Sequence, residues 1–164
     1  MDGHLLIQNA TLILPDRVVE GDLRVSDGSI ATIAPGGGLD AGSNEAVIDA
    51  TGLHLLPGAI DPHVHFREPG STEKEDLESG SRAAAAGGVT AFLDMPNNDP
   101  NATNRATLER KIAIASKKSV THHGFFIGAT NDNITDLQSV EGMEGVCGIK
   151  IFMGSSTGVL LVHE

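Results

Sequence analysis

The stretch Leu55-Leu56-Pro57-Gly58-Ala59-Ile60-Asp61-Pro62-His63-Val64-His65-Phe66-Arg67 runs from apolar residues into a cluster of chemically active ones. Residues 55–60 are apolar for long enough to make one buried strand, which the pattern carries on to His65. In a strand, alternate side chains share a face, so Asp61, His63 and His65 point the same way. Two imidazoles spaced i, i+2 at a strand end can hold one metal ion, and neutral imidazole nitrogens suit zinc at about 2.0–2.1 Å. Arg67 can hold an anion beside them. An H-x-H pair on its own fits two surface histidines in a turn equally well.

Beyond this stretch, strand and helix signals alternate. Thr72-Glu73-Lys74-Glu75 reads as a capping box, Thr72 and Glu75 satisfying each other's end of a helix. That helix runs through Ala83–Ala86 to a glycine stop at Gly87-Gly88. Val89-Thr90-Ala91-Phe92-Leu93 is a second strand, ending at Asp94-Met95-Pro96-Asn97. Thr103 can cap a second helix, with Leu108, Ile112 and Ala115 on one face. Phe125-Phe126-Ile127 belongs to a third strand, a helical turn follows near 134–137, and residues 146–153 make a fourth strand.

Upstream, residues 1–57 read as short strands with no helical period. Segments 5–7 and 11–14 are β-rich. Segments 23–26 and 29–33 flank Asp27-Gly28, a strong hairpin signal. A flexible loop opens at Pro35-Gly36-Gly37-Gly38, and residues 46–49 form another strand.

The predicted class is therefore α/β: a partial (β/α)8 TIM barrel of about four βα units, over 58–164, preceded by a small β-sandwich module over 1–57. A complete barrel takes about 250 residues. The chain has 164, so it reads as the N-terminal part of a longer protein. A self-contained four-stranded α/β domain is the alternative.

Composition narrows the function classes. A formal net charge of −11 opposes the phosphate neutralisation that drives nucleic-acid binding. Five Phe with no Trp or Tyr leave little for base stacking. Nothing approaches the roughly 18 consecutive apolar residues of a membrane span, and no signal peptide is visible. A single cysteine, Cys147, excludes an internal disulfide and suits a reducing compartment. A cytoplasmic enzyme, or a piece of one, is the expectation.

Other residues carry weaker signals. Lys150 sits inside an apolar strand, where an unpaired ammonium is costly to bury. A neutral amine there could add carbon dioxide to give a carbamate ligand; a lysine that snorkels or pairs with a carboxylate is the plainer reading. Asn97 offers an amide to the mouth of the sheet or sits in an ordinary Pro-Asn turn. His122 and His123 fall at the N-terminal end of their strand and, like His4, His54 and His163, are expected at the surface. Residues 154–158 are Gly/Ser-rich but lack the lysine and spacing of a phosphate loop, so a mobile loop is expected. Cys147 faces away from Lys150 and is expected to be buried.

Taken together, Pro57-Gly58, Ile60-Asp61, His63-Val64-His65-Phe66-Arg67-Glu68-Pro69-Gly70, Gly88-Val89-Thr90 leading to Asp94-Met95-Pro96-Asn97, and Gly148-Ile149-Lys150-Ile151-Phe152-Met153-Gly154 resemble the dihydroorotase signatures of the amidohydrolase superfamily. The resemblance spans the whole chain. It implies a site with two Zn2+ ions, His63 and His65 on one metal and carboxylated Lys150 bridging both. It implies Arg67 and Asn97 as holders of the substrate carboxylate. Related allantoinases typically carry Asn in place of this Arg and a residue other than Asn after Met-Pro. Arg67 and Asn97 thus favour dihydroorotase, which interconverts dihydroorotate and N-carbamoyl-aspartate in pyrimidine biosynthesis. Lys150 leans towards the allantoinase-like branch, so allantoinase or hydantoinase stays open, as does a non-catalytic scaffold. The resemblance also implies two later histidines and a proton-shuttling aspartate that lie beyond residue 164. No catalytic acid/base is therefore assigned here, and the 164 residues alone are expected to be inactive. The full-length protein is expected to be a homo-oligomer acting on a small molecule.

Overall fold

Asp27 and Gly28 both adopt positive φ, 51° and 75°, the conformation that a two-residue hairpin turn requires. They join β2 (Val18–Ser26) to β3 (Ser29–Pro35) in antiparallel register. The computed structural model describes residues 3–154 and 160–163, and the chain divides into two compact units, Met1–Pro57 and Gly58–Glu164.

In the first unit, β1 (His4–Ile13) is central. It pairs with β2 on one side, and with β4 (Ala46–Asp49) and β5 (His54–Leu55) in parallel on the other. The expected pair of short strands at 5–7 and 11–14 is one strand with a register shift between Ile7 and Ala10. Asn9 takes φ 60° at that bulge; its amide donates to buried Asp22 Oδ1 at 2.9 Å. Ala10, Leu12, Leu23 and Ala50 form the apolar core. Arg24 grips Glu45 with two hydrogen bonds, 2.7 and 3.0 Å, closing the glycine-rich loop.

In the second unit, β6 (Ala59–Val64), β7 (Val89–Asp94), β8 (His122–Gly128) and β9 (Val146–Lys150) are all parallel and adjacent in chain order. A doubly wound sheet reverses its strand order at a switch point; this one does not. Sequential parallel strands with helical crossovers are the arrangement of a partial (β/α)8 barrel. Helices α1 (Leu77–Ala86) and α2 (Arg105–Lys118) pack on β7 and β8. Phe66, Leu77, Phe92, Leu108, Phe125 and Ile127 form the core between them. The third crossover carries the short α3 (Ile134–Ser139). No helix among the described residues is long and apolar enough to cross a membrane.

Several local expectations change. The cap of α1 is Asp76, not Thr72: its carboxylate accepts from Ser79 N at 2.7 Å, and the Ser79 side chain returns the bond. Thr72 instead closes a turn onto Gly70 O, while Glu75 O accepts from Arg67 N. The cap of α2 is Asn104 rather than Thr103, because extended backbone at 104 aims its side chain at Thr107 N. The apolar run at 55–60 does not make one buried strand. Leu55 ends β5, the chain crosses between units, and β6 begins at Ala59. As an edge strand β6 is open, with Ile60 64% exposed. The other edge, β9, ends at Lys150 rather than Met153, and Cys147 on it is exposed, not buried. Of the Gly/Ser stretch at 154–158, residues 155–158 lie outside the described residues.

Candidate metal centre and anion cavity

Proline at 62 lacks an N–H and cannot complete the ladder with β7. The β6–β7 register slips between Asp61 and Val64. Asp61 Oδ1 accepts from His63 N at 3.1 Å across this irregularity. The chain then brings the rings of His63 and His65 together, Nε2 to Nε2 at 3.1 Å and centroids at 5.1 Å. Two nitrogens on one tetrahedral zinc, at about 2.0–2.1 Å each, lie about 3.3 Å apart. The observed spacing fits a shared metal.

The second nitrogen of His65 is held. Its Nδ1 lies 2.7 Å from Asn97 Oδ1 at the end of β7. An amide oxygen only accepts, so Nδ1 carries the proton and Nε2 presents its lone pair towards His63. A hydrogen bond at one ring nitrogen is how proteins orient a histidine for metal at the other. Asn97 therefore reaches a histidine, a role the sequence reading did not give it.

Arg67 is exposed and lines a cavity of about 380 Å³ together with Lys74, Asn97, Asn98, Asp99 and Asn101. Arg67 and Asn97 thus share a cavity. Two cations against one carboxylate suit an anion. Lys150 is the last residue of β9 and lies at the C-terminal end of the parallel sheet, as the two histidines do. Its ammonium stands 5.1 Å over the Phe152 ring, a cation–π contact. It is half-buried. Among the described residues, no three His, Cys, Asp or Glu side chains cluster as a metal site. His122 is exposed; His123 is half-buried and stacks 6.1 Å from Phe92.

Two charges beneath the site escaped the sequence reading. Asp94 and Lys111 are completely buried and paired, Nζ to Oδ2 at 2.8 Å. Burial pushes the Asp94 carboxyl up and the Lys111 ammonium down, each opposed by the partner's charge. The available signal was helical phase: Lys111 follows Leu108 by one turn and precedes Ala115 by another, on the buried face.

Comparison with known proteins gives a consistent picture. The Amidohydrolase family pattern matches residues 54–146. An allantoinase of Desulfitobacterium hafniense (strain Y51) is 42% identical over 149 residues, 90% of this chain and 32% of that protein. A dihydroorotase of Methanosarcina acetivorans is 39% identical over 158 residues, 96% of this chain and 33% of that protein. Among solved structures, the L-hydantoinase of Arthrobacter aurescens superposes with a TM-score of 0.84 at 26% identity, over 97% of this chain and 35% of that one. A D-hydantoinase gives 0.80 at 32% identity, over 98% and 35%. The chain spans about a third of the length of the relatives it matches.

Proposed function

Because this chain belongs to the amidohydrolase family, we propose that it carries one wall of a zinc-dependent cyclic amidohydrolase site, most specifically that of a dihydroorotase. The observation that carries the reading is the convergence of His63 and His65 Nε2 at 3.1 Å, with His65 anchored by Asn97, beside a cavity lined by Arg67.

His63 and His65 would hold one zinc ion, and Lys150, carboxylated, would join it to a second. Zinc bound there would supply the Lewis acidity that polarises an amide carbonyl and acidifies water. The chain's own residues do the rest of the local work. His65 Nδ1 donates to Asn97 Oδ1, so in the neutral ring Nε2 is the nitrogen left to face a metal. Arg67 offers a two-pronged, charge-assisted grip for the carboxylate of dihydroorotate. Asn97, its oxygen engaged by His65, has Nδ2 left as a donor towards the same cavity. Glu68 is buried, accepting from Leu77 N at 3.0 Å and from Lys118 at 2.6 Å. That fixes the segment after Arg67 so the guanidinium works from a firm base.

A second reading is an allantoinase or hydantoinase, favoured by the relatives and structural neighbours that bear those names. Neither allantoin nor hydantoin has a carboxylate for Arg67. Calorimetric titration separates the readings. The protein is expected to bind Zn2+, with binding lost in His63→Ala and in His65→Ala. The zinc-loaded protein is expected to bind dihydroorotate, and Arg67→Asn to abolish that binding. Tighter binding of allantoin or hydantoin than of dihydroorotate would transfer the assignment to the second reading. For Lys150, a carbamate carbon signal in 13C-bicarbonate buffer, lost in Lys150→Ala, is expected.

A further inference from the structure

Asp94 and Lys111 have no solvent exposure at all. Desolvating such a pair is costly, and apolar replacements of similar volume are often as stable. Its hydrogen bonds show what else it does. Asp94 Oδ1 accepts from Phe66 N at 3.0 Å. Lys111 Nζ donates to Met95 O at 2.8 Å and to Asn98 Oδ1. Asn98 Nδ2 in turn donates to Phe66 O at 3.0 Å and Glu68 O at 3.3 Å. Both polar groups of Phe66 are therefore tied down, and Phe66 is the residue between His65 and Arg67. Met95 and Asn98 bracket Asn97. A single ammonium from α2 thus grips the segment carrying Asn97, and through Asp94 and Asn98 it reaches the segment carrying His65 and Arg67. These hydrogen bonds go to the two segments that bear the site, while the ammonium also stands 4.9 Å over the Phe125 ring on β8.

We propose that Lys111, Asp94 and Asn98 are positioning residues that hold the loop after β6 and the loop after β7 in register, so that His65 Nδ1 meets Asn97 and its Nε2 faces His63. The proposal rests on the reading of His63 and His65 as metal ligands.

The test compares the wild-type chain with Asp94→Asn/Lys111→Met, which removes both charges together, and with Asn98→Ala, which leaves the ion pair in place. Three quantities are measured: the thermal midpoint, the imidazole 15N shifts of His65 without metal, and Co2+ affinity with its visible spectrum. The wild type is expected to show His65 as the Nδ1–H tautomer. Both variants are expected to fold, to show a mixed tautomer, and to bind Co2+ at least tenfold more weakly with an altered spectrum. A purely structural pair predicts the reverse: once folding is restored, tautomer and affinity match the wild type. Wild-type tautomer and affinity in both variants would overturn the proposal, as would a mixed tautomer in the wild type. If the double variant does not fold, Asn98→Ala decides by the same readouts. Absence of Co2+ binding by the wild type would instead sink the metal reading, and the tautomer comparison would still decide this one.

Discussion

His65 Nδ1 and Asn97 Oδ1 stand 2.7 Å apart, joining the ends of the first two barrel strands through one hydrogen bond. The contact makes Asn97 a support of the histidine pair as well as part of the wall of the anion cavity. Loss of such a support typically costs 10–100-fold in metal affinity. Asn97→Ala is therefore expected to weaken Zn2+ binding by about tenfold or more, measured by competition with a chromophoric chelator. Asn97→Asp keeps the acceptor and is expected to bind at least as well as wild type. Unchanged affinity in Asn97→Ala would limit Asn97 to the cavity.

Gly80 on α1 faces Phe66. A Cβ placed there would lie 2.6 Å from Phe66 Cε1 and 2.8 Å from Cδ1. Alanine gains about 1 kcal/mol over glycine in a helix interior. Overpacking a core typically costs about 1–3 kcal/mol, and the Phe66 ring is buried in the core cluster. Gly80→Ala should thus be destabilising on balance, by about 1 kcal/mol, in urea unfolding. It should also shift the His65 and Arg67 resonances, because those residues flank Phe66. A net gain in stability would show that the ring can move aside.

Asp22 stabilises the first unit in a pH-dependent way. Hydrogen bonds from Asn9 N at 2.9 Å and Leu39 N at 3.0 Å hold its carboxyl below the ordinary value of 3.8. A lowered carboxyl pKa means that the unfolded chain takes up the proton first as pH falls. The stabilisation is complete well above pH 3.8 and drains away as pH falls through the lower, folded value. The exchange protection factors of the Asn9 and Leu39 amides should fall over that acid window. Asp22→Asn should flatten the acid dependence and cost about 1–3 kcal/mol at neutral pH, since its NH2 group faces a donor. Protection factors at these two amides that do not change with acid would contradict the account.

The fold was legible where local chemistry and position agree. Asp27-Gly28 announced its hairpin because few residues tolerate positive φ twice in succession, and the same two residues adopt it. Gly87-Gly88 ended α1 as read, with Gly88 at φ 84°. The alternation of apolar strands and helices gave parallel βα units in chain order. The capping residues were misplaced by one to four positions. Several Ser, Thr, Asp and Asn lie near each helix start, and only backbone direction selects the one that can reach the N3 amide.

Burial was less legible. Residues 55–60 look like one buried strand, yet they straddle two units, and β6 lies at a sheet edge. Cys147 looked buried by phase but lies on the other edge strand, open to solvent. Apolar character records what a strand can bury, while the neighbours on each side decide what it does bury.

By itself, the sequence determined the order of strands and helices, the family, and the histidine pair at a strand end. Those are local or pattern properties, set by side-chain spacing and residue chemistry. Only the tertiary structure decided that Asn97 meets His65 and that Lys111 lies beneath both loops, paired with Asp94. Asn97 lies 32 residues from His65 in sequence, and Lys111 lies 16 from Met95. Contacts at such separations come from how parallel strands align; helical phase can mark Lys111 as facing inward, but no local pattern names its partners.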